Sequence, residues 1–369
     1  MIKQKIVIYS VGLLGASIGA ALKKNGFDGE VIGISNEKNL EDAISRQSID
    51  KGFTYEEFLS DKDGILSSCD ILFLCSPIET IKATIEKLKD KKFKDGAIIT
   101  DVGSTKKEIF ETAEKFLPAN VRFIAGHPMA GSEKNGAKSA DPFLFQNAVW
   151  VLHSKNPQDA RNFGLFLEKY LGCKTKFIAP ETHDKIAAVI SHIPHIIAVG
   201  LVNAAEKINR RIDQTLDLAA GGFKSMTRIA SSPYYMWHDI YKTNREENLE
   251  FLDLFIEETK QLRNALAEEE ITLKDHFDNA AKTRAELSGN QKGFVNVLHR
   301  IIVIAEDKPG FLAKILTILA DDNLNVNDIE LLKVREGDAG SFMFAFVEKS
   351  SAEKAVELLQ STGFTARAD

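Results

Sequence analysis

The sequence predicts an α/β chain in three parts. An N-terminal, mostly parallel sheet wound with helices comes first, an all-helical middle follows, and a C-terminal βαββαβ layer closes the chain. Three observations predict this. Short apolar runs alternate with helical stretches up to about residue 175. Composition shifts to helix formers after Pro180. From His299 onward, strand and helix patterns return in a fixed βαββαβ order.

The composition bounds the rest. A chain of 369 residues holds two or three domains, and 44% hydrophobic with 27% charged residues is a globular profile. A net charge of −6 argues against a general nucleic-acid binder. Met1-Ile2-Lys3-Gln4 leads straight into a strand, with no export signal, and no apolar run reads as long enough to span a bilayer. A cytoplasmic protein that engages no membrane is therefore expected. Cys69, Cys75 and Cys173 are odd in number and set among apolar residues, as reduced core thiols are.

Lys5-Ile6-Val7-Ile8-Tyr9 is a buried strand, Ser10 to Ser17 a glycine turn, Ile18 to Lys24 a helix and Glu30 to Ile34 a second strand. That succession opens a Rossmann-type dinucleotide-binding domain, placed at 1–175. Gly12 lets backbone approach a pyrophosphate, Gly15 lets helix pack on strand, and Leu13 and Leu14 begin the helix whose N–H groups meet the phosphates. Ser10 replaces the first glycine of the fingerprint, at some strain. At the end of the second strand Ser35-Asn36-Glu37 replaces the usual acidic residue, so NAD is favoured while NADP stays open. Further strands at 71–75, 97–100, 121–125 and 148–152 complete the sheet. Ser76-Pro77, the loop from Asp101 to Lys106 and the loop 126–136 gather at the edge where Gly12 lies. Ser76, Pro77, Asp101 and Ser35 join the cofactor set. Ser104 and Glu108 also read as flanking a helix start, with Ser104 as its cap.

Four motifs carry a resemblance. Asp101-Val102-Gly103-Ser104-Thr105-Lys106, Gly126-His127-Pro128-Met129-Ala130-Gly131-Ser132-Glu133, Val189-Ile190-Ser191-His192-Ile193-Pro194-His195 and Thr227-Arg228-Ile229-Ala230 resemble those of prephenate dehydrogenases and their arogenate-using relatives. The resemblance spans roughly residues 5–290. It implies oxidation of prephenate's ring hydroxyl, hydride transfer to NAD(P), loss of carbon dioxide and formation of 4-hydroxyphenylpyruvate on the route to tyrosine. It makes His127 the catalytic base, a role suited to an imidazole that ordinarily titrates near neutrality, with Ser104 its partner. It makes Arg228 a carboxylate clamp, and His183, His195, Glu133, Gly222 and Trp237 substrate-binding residues. Ser225 departs from the acidic residue the family often has three positions before the arginine. Two rivals stand beside this reading: an arogenate dehydrogenase, and a non-catalytic sensor of nucleotide and amino acid.

The middle block, 176–292, holds a long apolar helix from Asp184 to Lys207, interrupted at Pro194. Its apolar residues keep to no single stripe, so it is expected to be buried on most sides, against a second copy of the chain, giving a homodimer. His183 lies nine residues before His192, about half a turn away around a helix at 100° per residue, so no metal site is expected. Helices are expected at 244–270 and 273–287.

The last block, 298–369, has strands at 299–305, 326–334, 341–347 and 364–366. Phe344-Ala345-Phe346-Val347 echoes an RNA-binding strand, but eight basic against twelve acidic residues over 300–369 give −4, which repels RNA. The turn Lys308-Pro309-Gly310-Phe311-Leu312 and Asn325-Val326 resemble an ACT domain instead. That implies tyrosine as an effector, with Pro309, Gly310 and Asn325 as regulatory residues.

Overall fold

A computed structural model describes residues 4–61, 63–131, 134–267, 271–288, 298–305, 308–335 and 338–368. It has two compact units, Met1–Asn264 and Ala265–Asp369. The first unit is built on strands β1 (Lys5–Tyr9), β2 (Glu30–Ile34), β3 (Lys51–Phe53), β4 (Ile71–Leu74), β5 (Ile98–Asp101), β6 (Arg122–Pro128), β7 (Val149–His153) and β8 (Lys174–Phe177). They form one sheet in the order β3-β2-β1-β4-β5-β6-β7-β8. All neighbours are parallel except β6 and β7. Chain order reverses between β1 and β4, which opens a crevice beyond their C-terminal ends. β3 and β8 are short and partly exposed, and they carry too little apolar pattern to be legible in the sequence.

Helices α1 (Leu13–Lys24), α2 (Glu37–Ser45), α3 (Tyr55–Ser60), α4 (Ile65–Ser68), α5 (Ile78–Leu88), α6 (Lys107–Phe116) and α7 (Pro157–Leu171) join the strands. Successive side chains of a strand point to opposite faces, and β1 feeds two separate cores. Ile6 and Ile8 pack with Ile18, Leu22, Phe73 and Trp150, whereas Val7 and Tyr9 pack with Phe58, Leu72 and Ile81. Cys69 and Cys173 are buried and Cys75 half-buried, all as free thiols. Burial pushes the Cys69 thiol up to about 12, so it is inert.

The helical part follows as α8 (Pro180–Ala187), a π-helical turn (Ala188–His192), α9 (Ile193–Asn209), α10 (Gly221–Thr227), a 3₁₀ turn (Arg228–Ser231), α11 (Tyr234–Thr243) and α12 (Arg245–Ala267). Two expectations change here. Pro194 does not break the helix. It stands in the first turn of α9 directly after the π turn, where the missing N–H and the widened coil let the helical path continue. The helical run Pro180–Asn209 is thereby long and apolar enough, by length and composition, to cross a membrane, contrary to the sequence reading. Within this chain alone 33% of its most apolar window is buried. Ile186, Val189 and Ile190 are exposed.

The second unit contains α13 (Ile271–Ser288), β9 (His299–Ala305), α14 (Phe311–Asp321), β10 (Asp328–Arg335), β11 (Asp338–Phe346), α15 (Lys349–Ser361) and β12 (Ala366–Ala368). Its strands form a fully antiparallel sheet in the order β10-β11-β9-β12, the ferredoxin-like arrangement. Ile301, Val303, Phe344 and Phe346 pack on Ile315, Leu319 and Leu359. Gly310 starts α14 at φ +83°, a conformation that favours glycine. Pro309, Gly310 and Asn325 are all exposed. The last strand begins at Ala366, two residues beyond its expected start.

Candidate active site

The turn after β1 carries Ser10 at φ +69°, the left-handed region in which a glycine would be unstrained. The Ser10 hydroxyl offsets this through hydrogen bonds with Ser76 Oγ at 2.5 Å and Tyr55 OH at 3.0 Å. The ends of β1 and β4 are thus tied across the crevice. Gly12 precedes α1 with no side-chain cap, and a Cβ there would meet nothing within 4 Å. The first N–H groups of α1 are left for an anion. At Gly15 a Cβ would lie 2.6 Å from Ser10 O and 2.9 Å from Ile8 Cγ2, so helix and strand approach this closely only with glycine. Leu13 and Leu14 are half-buried, Ser76 is buried and Pro77 is exposed at the start of α5. Open backbone beside an uncapped helix end is what a dinucleotide's pyrophosphate requires, and the residues present fit it.

Two members of the expected cofactor set do not face that crevice. Ser35 is 1% exposed, with Oγ 3.4 Å from Asn39 Nδ2. Its position next to β3, whose Phe53 O takes the Ser35 N–H, turns it into the protein. The exposed residues there are Asn36, which caps α2, and Glu37. Asp101 is fully buried and committed elsewhere. Its Oδ1 accepts the Gly126 N–H at 3.0 Å and its Oδ2 the Gly103 N–H at 2.8 Å. Oδ2 also pairs with the Lys106 ammonium, which donates to Gly126 O at 2.7 Å. Asp101 and Lys106 therefore hold both backbone groups of Gly126. A Cβ at Gly126 would lie 2.6 Å from Asp101 O, so the bracket also demands glycine. Burial pulls the Lys106 amine down, opposed by the Asp101 charge.

The next residue is His127. It stands on β6 and not in a loop, because the strand continues to Pro128 by pairing with β7, His127 opposite Val151. His127 Nδ1 is 2.8 Å from His183 Nε2, and His183 Nδ1 is 2.8 Å from Asp184 Oδ1. His183 is 3% exposed and both its ring nitrogens are engaged, so it backs His127 and is not free to bind substrate. Asp184 also accepts the N–H groups of Lys106 at 2.7 Å and Lys107 at 2.9 Å. The start of α6 is therefore capped from α8, and Ser104 has no capping role. Burial, then the neighbouring His183, Lys106 and His192, hold the His127 imidazole well below its usual value of 6.5. His127 is neutral at pH 7 for these reasons, and not because an unperturbed imidazole titrates nearby.

His192 is buried between Asn248 Oδ1 at 3.1 Å and Asn244 Nδ2 at 3.2 Å, and burial lowers it to about 4. His195 shares a 2.6 Å hydrogen bond with Tyr241 OH and stacks on Trp237, ring centroids 3.8 Å apart and planes 14° apart. Burial raises Tyr241 to about 12, so its hydroxyl keeps its proton. Gly222 and Arg228 are exposed, on α10 and at the start of the 3₁₀ turn. Among the described residues no side-chain hydrogen bond joins Ser104 or Arg228 to the His127 group, and no three His, Cys, Asp or Glu are placed to hold a metal ion. Glu133 lies outside the described residues. Lys106, Asp184, Tyr55, Tyr241, Asn244 and Asn248 had no role in the sequence reading. Only Lys106, inside the quoted Asp101–Lys106 motif, and Asp184, next to His183, carried any local signal.

Three family models match the chain in succession: the prephenate dehydrogenase nucleotide-binding domain over residues 18–179, the prephenate dehydrogenase dimerization domain over 179–279, and the ACT domain over 299–364. The prephenate dehydrogenase of Bacillus subtilis is 31% identical over 362 residues, covering 97% of this chain and 96% of that one. A crystal structure of prephenate dehydrogenase from A. aeolicus, in complex with hydroxyphenyl propionate and NAD+, matches with a TM-score of 0.69 at 28% identity, covering 78% of this chain and 99% of that one. Synechocystis arogenate dehydrogenase matches with a TM-score of 0.65 at 28% identity, covering 77% of this chain and 100% of that one. An uncapped helix end at a topological switch point, a histidine buttressed on the same sheet and 31% identity over nearly the whole chain agree, and the chain belongs to the prephenate dehydrogenase family.

Proposed function

We propose that this chain oxidises and decarboxylates prephenate to 4-hydroxyphenylpyruvate, with NAD as hydride acceptor, in the cytoplasmic synthesis of tyrosine. The observation that carries the reading is the neutral His127, buttressed by His183 and Asp184 near the end of β6, on the sheet that also forms the nucleotide crevice. Bound at the α1 turn, NAD would supply the acceptor for the hydride on the carbon bearing the ring hydroxyl. His127 takes the hydroxyl proton as that hydride leaves, and returns it to the ring oxygen once the ring carboxylate has left as carbon dioxide and the ring has become aromatic. Aromatisation supplies the driving force, so the chain's residues mainly orient the reacting groups. Ser104, free of capping duty, binds the substrate hydroxyl. Arg228 holds a substrate carboxylate by its bidentate fork, and Trp237 stacked on His195 forms a flat wall for the ring.

The family's arogenate-using members make arogenate the second substrate to test. Purified full-length chain, supplied in turn with prephenate and arogenate and with NAD or NADP, should show reduced-nicotinamide absorbance with prephenate and NAD. Silence in all four combinations overturns the reading, and turnover of arogenate alone reassigns the substrate. Domain limits of 1–175, 176–292 and 298–369 form part of the same proposal. The exposed apolar residues Ile186, Val189 and Ile190 support a homodimer through the helical part. Tyrosine is proposed as an effector at the ACT domain. Inhibition should vanish when residues after about 292 are removed, and inhibition that survives would put tyrosine at the active site.

A further inference from the structure

The chain from Asp184 to His127 has a definite hydrogen-bond polarity. Both carboxylate oxygens of Asp184 already accept backbone N–H groups, Oδ1 from Lys106 and Oδ2 from Lys107. A carboxylate in that position only accepts, so the contact at 2.8 Å is His183 Nδ1–H donating to Oδ1. With His183 neutral, its Nε2 is bare and can only accept. The atom facing it at 2.8 Å is His127 Nδ1, which must carry the hydrogen. A neutral imidazole has one N–H, so His127 Nε2 is bare.

We propose that His183 and Asp184 are positioning residues, which lock His127 as its Nδ1–H tautomer and leave Nε2 unprotonated toward the substrate. The inference rests on the reading of His127 as the base. It assigns a duty to a buried pair that binds neither substrate nor cofactor. When Nε2 takes the hydroxyl proton, His127 becomes an imidazolium whose Nδ1–H still donates to His183. The proton is not passed on to His183, and the Asp184 carboxylate, one ring away, compensates the new charge until the proton returns to the ring oxygen. The lock needs a neutral His183. A cationic His183 would donate from both nitrogens and force the opposite tautomer on His127. The groups facing the pair are Lys106 from the loop after β5, with its partner Asp101, and His192 from the π turn.

The test is the ring ¹⁵N spectrum of histidine-labelled, full-length protein without ligands, with the His127 signals assigned by their loss in His127→Asn. Nδ1 protonated and Nε2 bare is the result expected at pH 7. An Nε2–H tautomer in the wild-type protein overturns the proposal. In His183→Leu the lock is gone, His127 should shift toward Nε2–H, and kcat should fall by at least about 10-fold, within the about 10²–10⁴-fold that a general base supplies. NAD affinity, measured by fluorescence titration, should not change. The amide oxygen of His183→Gln can accept where Nε2 did, so this variant should recover most of kcat and the Nδ1–H tautomer. Unchanged tautomer and kcat in folded His183→Leu would also overturn it. The wild-type spectrum and His183→Gln decide the matter if His183→Leu does not fold. Because the tautomer is read in the free protein, failure of every substrate would sink the proposed reaction and leave this result standing.

Discussion

Lys106→Met tests the buried bracket behind His127. Lys106 is 2% exposed and Asp101 0%, and the ammonium meets the Asp101 carboxylate and Gly126 O. Methionine keeps an unbranched stem of similar length and removes the charge. Asp101 keeps the N–H donors of Gly103 and Gly126 but loses its counter-charge where water cannot enter. Removing one partner of a buried ion pair costs about 3–5 kcal/mol. At about 2–4 °C per kcal/mol for a unit of this size, Tm should drop by about 6–20 °C. Urea unfolding followed by tryptophan fluorescence is the assay, since Trp150 and Trp237 both belong to the first unit and are the chain's two tryptophans. A loss below about 1 kcal/mol would mean that the two groups do not form a charged pair. In variants that remain folded kcat should fall, because Gly126 is released beside the base.

His127→Asn should lower kcat by about 10²–10⁴-fold with KM for prephenate little changed. Arg228→Ala should instead raise KM, and the reverse pattern would exchange their roles. The base must be unprotonated and its folded value lies below 6.5, so kcat/KM should stay level down to pH 6.5 and fall only in more acid solution. A limb centred above pH 6.5 would point to another group. His192 is lowered to about 4 from 6.5, so the unfolded chain binds the extra proton between those values. Its share of stability is complete above pH 6.5 and is lost as pH falls toward 4, which thermal melts in that window should record. Gly19→Ala puts a Cβ 2.0 Å from Ser48 O, a backbone atom that cannot swing away, and should cost at least the about 1–3 kcal/mol of overpacking.

Much of the fold was legible because its signals are local. An apolar run of five residues, a glycine turn and a helix declare β1 and α1 without help from the rest of the chain. The ferredoxin-like order of the second unit shows in the same way. Edge strands β3 and β8 did not show, since partly exposed strands need no apolar run. Loop 126–136 was legible as a functional stretch, but its first residues became strand through pairing with β7, a partner more than twenty residues away in sequence.

By itself the sequence determined which residues form the nucleotide turn, where helix succeeds sheet, and that His127 belongs to a motif with chemistry in it. Tertiary structure alone decided what surrounds that histidine. Asp184 is 78 residues from Lys106 in sequence and His183 is 56 from His127, yet they meet at hydrogen-bond distance. Such pairs leave no periodicity and no spacing to read. The charge state of His127 is set by burial and by those distant neighbours. The roles of Asp101, Ser35 and His183 changed for the same reason: a polar residue's task follows from what it faces, and folding decides what it faces.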